Sequence, residues 1–252
     1  MTAKSAESLD SGLERERSTK LTVASRPAHY DSLVVALIAL TFTTGLIDAV
    51  SYLGLGRVFT ANMTGNVVLL GFAAVGVPGL SVTRSLIALG GFLVGAAFGG
   101  RLGTVMATAT RRRWLLSAAV TEAGLIFAAA LVSLGFDIDS ATPANRLHAV
   151  IVLTAVAMGL RNATVRRLAV PDLTTTVLTL TLTGLAADSS LAGGNNPRSL
   201  RRIFSVVAMF GGAAIGAILL RYGLALPLVV AGVCVLGATV ACARAEALSE
   251  AQ

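Results

Sequence analysis

The chain has 252 residues, of which 55% are hydrophobic and 13% charged, with a formal net charge of +7. A soluble domain carries roughly 25% charged residues, so this composition, with a mean hydropathy of +0.79, excludes a water-soluble globule and indicates an all-α integral membrane protein. The basic excess is not that of a nucleic-acid surface, because the arginines stand singly or in triplets between apolar blocks and aromatics for base stacking are scarce.

Residues 1–30 are polar and of mixed charge, with no apolar stretch of the kind a cleavable signal peptide needs. They predict a disordered cytoplasmic arm, since they hold too little apolar surface to offset the entropy of ordering. Eight apolar blocks follow, at about 32–56, 59–77, 85–107, 114–136, 146–165, 169–187, 203–222 and 224–243. Gly and Pro punctuate the joints, as at Pro78-Gly79, Pro143, Pro171, Pro197 and Pro227. No block alternates with a period of two, so the blocks predict helices rather than barrel strands. The blocks divide into a first membrane repeat over 31–137 and a second over 138–243, with a short polar tail over 244–252.

Charge decides how many blocks cross. If all eight span, Arg111–Arg113 and Arg161, Arg166 and Arg167 fall outside the cell, against the rule that cytoplasmic loops carry the basic residues. If 59–77 and 169–187 instead enter and leave on one side, these residues, the amino-terminal arm, Arg198, Arg201, Arg202 and Arg244 all become cytoplasmic. The loop with Asp137 and Asp139 then faces outward, and only Arg57, Arg84, Arg146 and Arg221 lie near the outer side. The prediction is about six spanning helices plus two re-entrant or broken Thr/Asn-rich segments.

The two halves also match in sequence. GLIDA at 45–49 corresponds to GLRNA at 159–163, which sets Asp48 opposite Asn162. FTANMTGN at 59–66 corresponds loosely to LTTTVLTLT at 173–181. GGFLVGAAFGGRLG at 90–103 aligns with GGAAIGAILLRYG at 211–223, pairing Gly95 with Gly216 and Arg101 with Arg221. Three spans per half is an odd number, so the repeats are predicted to be inverted, an architecture of secondary transporters and some channels with midplane sites where discontinuous segments meet.

Read together, GLIDAVSYLGLGRVFTANMTGNVVLLG and MGLRNATVRRLAVPDLTTTVLTLTLTGLA resemble the YoaK family of bacterial membrane proteins, a domain of unknown function (DUF1275). The resemblance covers about 32–243 and implies a multi-pass protein of the bacterial inner membrane, without bringing an activity. One departure is Leu180, where the family's second element carries Gly.

Among the residues able to carry chemistry, Asp48 stands out, because a carboxylate at the centre of a membrane helix costs about 3 kcal/mol or more. With Thr41, Thr44 and Tyr52 it forms a polar helix face. Such an acid either binds a proton or cation or locks helices by pairing with Arg101 or Arg161. Asn62 and Asn66, with Thr64 and Gly65 between them, would coordinate a solute if the helix broke at Gly65, or else make ordinary interhelical hydrogen bonds. Thr175, Thr179 and Thr183 repeat at helical spacing and either line a path or bond back to their own helix; Asp172 reads as a helix cap. Arg101 and Arg221 offer snorkelling contacts or counter-charges, and Glu122 lies inside the fourth block, nearer its inner end. Gly91, Gly95, Gly99 and Gly103, echoed by Gly212 and Gly216, predict close helix packing, with the two strips facing one another.

Cys234 and Cys242 read as packing residues, and His29 and His148 stand apart from them, so neither a metal nor another cofactor is expected. No nucleophile, zinc or phosphate-loop motif occurs, and an enzyme is not expected. The reading is a transporter or permease for a small solute, with a path over Asp48, Asn62, Thr64, Asn66, Asn162 and Thr179 and coupling to a proton or cation at Asp48. The alternatives are a structural or sensory membrane protein, whose polar residues only fix packing, and a passive channel. The expected partners are the bilayer and a small solute or cation; homo-oligomerisation stays open.

Overall fold

A computed structural model describes residues 28–138, 140–168, 178–196 and 198–250. Asp139, Pro171, Asp172, Thr174–Thr176, Pro197 and most of the amino-terminal arm lie outside the described residues. Among those described, eight α-helices follow in order: α1 (Ala28–Gly54), α2 (Met63–Ala74), α3 (Val82–Val105), α4 (Arg111–Val132), α5 (Ala144–Leu168), α6 (Leu178–Ala187), α7 (Ser199–Leu219) and α8 (Ala225–Glu250). Six of them (α1, α3, α4, α5, α7 and α8) are long and apolar enough to cross a membrane, whereas α2 and α6 have 12 and 10 residues. A spanning helix needs about 20 residues.

Local chemistry explains the shortening of the first short segment. Gly56 and Arg57 both adopt positive φ and break the chain after α1. Asn62 then caps α2 by accepting the Gly65 amide at 3.1 Å, and Gly76, again at positive φ, follows its end. The break therefore precedes Gly65, which sits in the first turn of α2 rather than at an interruption. Ser81 and Thr110 cap α3 and α4 in the same way, accepting from Arg84 and Arg113. At the other end of the chain, the segment expected as a polar tail continues α8 as far as Glu250.

The long helices pair across the repeat. α1 packs along α7 and α8, and α5 packs along α3 and α4. The first helix of each half thus lies against the last two helices of the other half, giving two pseudo-equivalent three-helix bundles joined where α4 packs on α8. Arg161 of α5 reaches Leu40 and Thr44 of α1, while Val165 lies with Leu33 and Leu37, so α1 and α5 run antiparallel and the halves are inverted.

Glycine sets the approach. A Cβ on Gly45 would strike Met209 and Ala213, and one on Gly159 would strike Phe92 and Ala96. Gly95 lies on Val156 as Gly212 lies on Phe42, and Gly99 lies on Leu160 and Ala163 as Gly216 lies on Leu46 and Ala49. Backbone-to-backbone contact of this kind is how small residues hold membrane helices together. Two expectations change here. The glycine strips do not face one another; each faces the first helix of the opposite half. The structural equivalents are also Gly95 with Gly212 and Gly99 with Gly216, one helical turn away from the alignment by GG doublets. Arg101 accordingly has no counterpart in Arg221, and both are exposed.

In this fold, Gly95→Ala or Gly212→Ala forces backbones apart and costs about 1–3 kcal/mol. Gly90 and Gly100 have open space at Cβ, so Gly90→Ala and Gly100→Ala are neutral or gain roughly 0.5–1 kcal/mol. Unfolding by SDS titration in mixed micelles checks the contrast.

Candidate functional site

Two buried clusters gather the acidic residues buried within the spanning helices, Asp48 and Glu122. The first lies at the junction of α1 with the loop that leads into α2. Asp48 is 7% exposed, and its Oδ1 accepts the amides of Ala61 at 3.1 Å and Asn62 at 3.3 Å. Asn66 is buried and accepts the Phe59 amide at 3.2 Å, while Tyr52 stacks on Phe59 with ring centroids 5.0 Å apart. The carboxylate is therefore paired with backbone N–H groups at the start of a short helix, not with Arg101 or Arg161. Such an acceptor complements the partial positive charge of a helix N-terminus. Thr60 Oγ1 in the loop and Asn66 Nδ2 in the first turn of α2 are buried with no hydrogen-bond partner among the described residues.

The other expected path residues separate from this cluster. Thr64 is exposed on α2, and Thr179 and Thr183 are exposed on α6, whose buried threonine is Thr181. Asn162 is half-buried and donates from Nδ2 to the Met158 carbonyl of its own helix at 2.8 Å. Thr41, Thr43 and Thr44 likewise bond back to carbonyls of α1. The six path candidates do not form one lining: Asp48, Asn62 and Asn66 cluster, whereas Thr64 and Thr179 face outward.

The second cluster is the one that sequence reasoning underweighted. Arg161 on α5 is 1% exposed and Glu122 on α4 is 4% exposed. Arg161 Nε donates to Glu122 Oε1 at 2.6 Å, and Nη2 touches the same oxygen. Nη1 donates to the Leu40 carbonyl and to Thr44 Oγ1, both at 3.0 Å. Glu122 stands at the middle of α4, not nearer its inner end, because that helix already begins at Arg111. The available signal was that one block carries a lone acid and the next a lone internal arginine, and opposite charges in consecutive spans seek each other in hydrocarbon.

A cleft of about 50 Å³ leads to this pair. Its walls are the first half of α1 (Leu33, Leu37), the first half of α4 (Leu115, Ala118), the last turns of α5 (Thr164, Leu168) and the second half of α8 (Thr239, Cys242). These helix ends share one end of the molecule, so the cleft runs between the two bundles from that end to Glu122 and Arg161. Asp48 is one turn beyond Thr44 on α1 and does not line it. Past the pair, toward the opposite end, the same interface is filled by Leu46, Ile47, Val50, Ile126, Val150, Ile151 and Leu228.

Residues 36–241 match the family model described as a protein of unknown function, DUF1275. The chain is also 35% identical over 167 residues to the UPF0700 transmembrane protein YoaK of Bacillus subtilis (strain 168), covering 65% of this chain and 69% of that protein. No solved structure matches.

Asp48→Ala leaves the Ala61 and Asn62 amides without their buried acceptor and costs about 2–4 kcal/mol, whereas Asp48→Asn keeps an oxygen in place and costs about 1 kcal/mol. Equal losses in the same SDS titration would mean that the charge, rather than the acceptor, is what α1 retains.

Proposed function

This chain belongs to the DUF1275 family of membrane proteins of unknown function, and on that footing we propose that it transports a small solute across the bacterial inner membrane, with its amino terminus in the cytoplasm. The observation that carries the proposal is the cleft between the two bundles, which ends on a buried acid–base pair while the opposite side of the same interface is packed shut. A protein whose polar residues only fix packing has no need to leave a charged pair at the end of a cavity, given what charge costs in hydrocarbon.

The inverted halves supply a mechanism. With two near-equivalent bundles, rocking one against the other closes the cleft at one end and opens its counterpart at the other, around a site that stays near the middle. Under the proposed orientation, Arg111–Arg113 and Arg166 lie on the cleft side, which follows the basic-inside rule and makes this conformation inward-facing. Coupling is assigned to Glu122 rather than to Asp48. Glu122 faces the cleft and can exchange its Arg161 bond for a proton, whereas Asp48 is committed to the amides that start α2. That commitment favours a positioning role for Asp48, tying α2 to the movement of α1. Thr60 Oγ1 and Asn66 Nδ2 near it, unpartnered among the described residues, would hold water or a passing polar group.

The test is proton flux in liposomes containing purified protein and a pH-sensitive dye, challenged with a panel of small solutes. At least one solute is expected to evoke proton movement with the wild type, and Glu122→Gln is expected to reduce it to the level of empty vesicles while the protein stays folded. Solute flux indifferent to the proton gradient would identify a channel, and no flux with any solute would leave the packing role.

A further inference from the structure

We propose that the cleft ending on Arg161 binds a small monocarboxylate with a short apolar body, and that Glu122 takes up one proton as the anion binds. This deepens the transport reading and rests on it for the use made of the site, though binding itself is measured independently.

The charge of the ligand depends on which member of the pair can be displaced. An arginine side chain keeps its charge in proteins, and Arg161 is anchored to α1 through Leu40 and Thr44 in addition to its contact with Glu122. A cationic ligand would have to take Glu122 away from Arg161, leaving a permanent buried charge unpaired, which is strongly unfavourable. An anionic ligand faces no such barrier. It replaces one carboxylate by another on the guanidinium, and the released Glu122 becomes neutral by gaining a proton. Arg161 Nη2 lies on Glu122 Oε1 without a well-formed hydrogen bond to any described residue, so an incoming carboxylate gains a bidentate geometry that Glu122 does not provide.

The charge and proton counts close. Before binding, the site holds Arg161 and Glu122 in their charged forms. Afterwards it holds Arg161, the bound anion and neutral Glu122, and the added proton comes from the same aqueous side as the anion. Net charge in the membrane interior is unchanged, and the species carried is the equivalent of the neutral acid. Besides Glu122 and Arg161, the titratable group lining the cleft is the Cys242 thiol on α8. Asp48, one turn beyond Thr44 on α1, does not line it and is held by backbone amides. The arginines of α4 and α5 other than Arg161, like Arg244 of α8, are not among the lining residues.

The walls fix the rest of the ligand. Leu33, Leu37, Leu115 and Leu168 present hydrocarbon, with hydroxyls only at Thr164 and Thr239. A volume of about 50 Å³ admits roughly four water-sized groups, which suits a body of a few carbons. A polyol or a zwitterionic amino acid would leave its polar groups unpaired against leucine.

Calorimetry on the detergent-purified full chain tests this with butyrate and hexanoate, alongside butyramide, tetraethylammonium and inorganic phosphate, in buffers of differing ionisation enthalpy. Butyrate or hexanoate is expected to bind with uptake of about one proton, and its affinity is expected to fall about tenfold per unit of pH on the alkaline side. Glu122→Gln, which mimics the protonated acid, is expected to bind at least about tenfold more tightly under alkaline conditions, without proton uptake or pH dependence. Arg161→Gln should lose binding; should it fail to fold, Glu122→Gln decides alone. Equal binding of butyramide, preferential binding of tetraethylammonium or phosphate, or no binding of any probe overturns the ligand assignment. Solute-evoked proton flux persisting alongside such a result would show that transport stands and only the ligand class is wrong.

Discussion

Arg161 is the constraint around which the molecule is arranged. A guanidinium in the middle of a membrane bundle must be neutralised and its donors occupied, at a cost of about 3 kcal/mol or more if it is not. Glu122 on α4 neutralises it, and the Leu40 carbonyl and Thr44 hydroxyl of α1 take up Nη1. These contacts join α5 to two helices of the other half, so one side chain ties together both repeats and both bundles. Replacing both members of the pair by hydrocarbon residues would suit stability; the presence of the pair next to a cavity is what favours a binding role.

The glycine contacts complement this electrostatic tie. Lipid offers helices no hydrophobic reason to associate, so close packing has to come from shape. Gly45 with Gly212 on one side and Gly159 with Gly95 on the other bring α1 onto α7 and α5 onto α3 with backbones touching. Each bundle is thereby rigid along its parallel pair. The antiparallel interface between bundles is different in kind, with large side chains at one end and a cleft at the other. Rigid units meeting at an interface with unequal ends are what a rocking motion requires.

Much of the fold was legible in the chain. The arginine positions separated six long helices from two short ones, and the GLIDA and GLRNA pair disclosed the inversion, because charge and repetition are properties of sequence alone. The register of the repeat was not legible, since a GG doublet aligns as well one turn away and only contact with Phe42 or Val156 decides it. The partner of Asp48 was hidden for a similar reason: its acceptors are met by amides of Ala61 and Asn62, and any residue supplies an amide. Thr64 and Thr179 looked like path residues by type, yet their helix faces turn them outward. Glu122 and Arg161 were both visible as charges, but their pairing depends on how α4 and α5 cross.

Alternating access requires that water reach the Glu122–Arg161 pair from one end of the molecule only in this conformation. Thr164 lines the cleft and is 8% exposed, so a Thr164→Cys chain with Cys234 and Cys242 replaced by serine reports on it directly. In sealed right-side-out and inverted vesicles, a membrane-impermeant maleimide is predicted to label this cysteine from the cytoplasmic face and not from the opposite one. Labelling from neither face, or only from the outer face, would contradict the account.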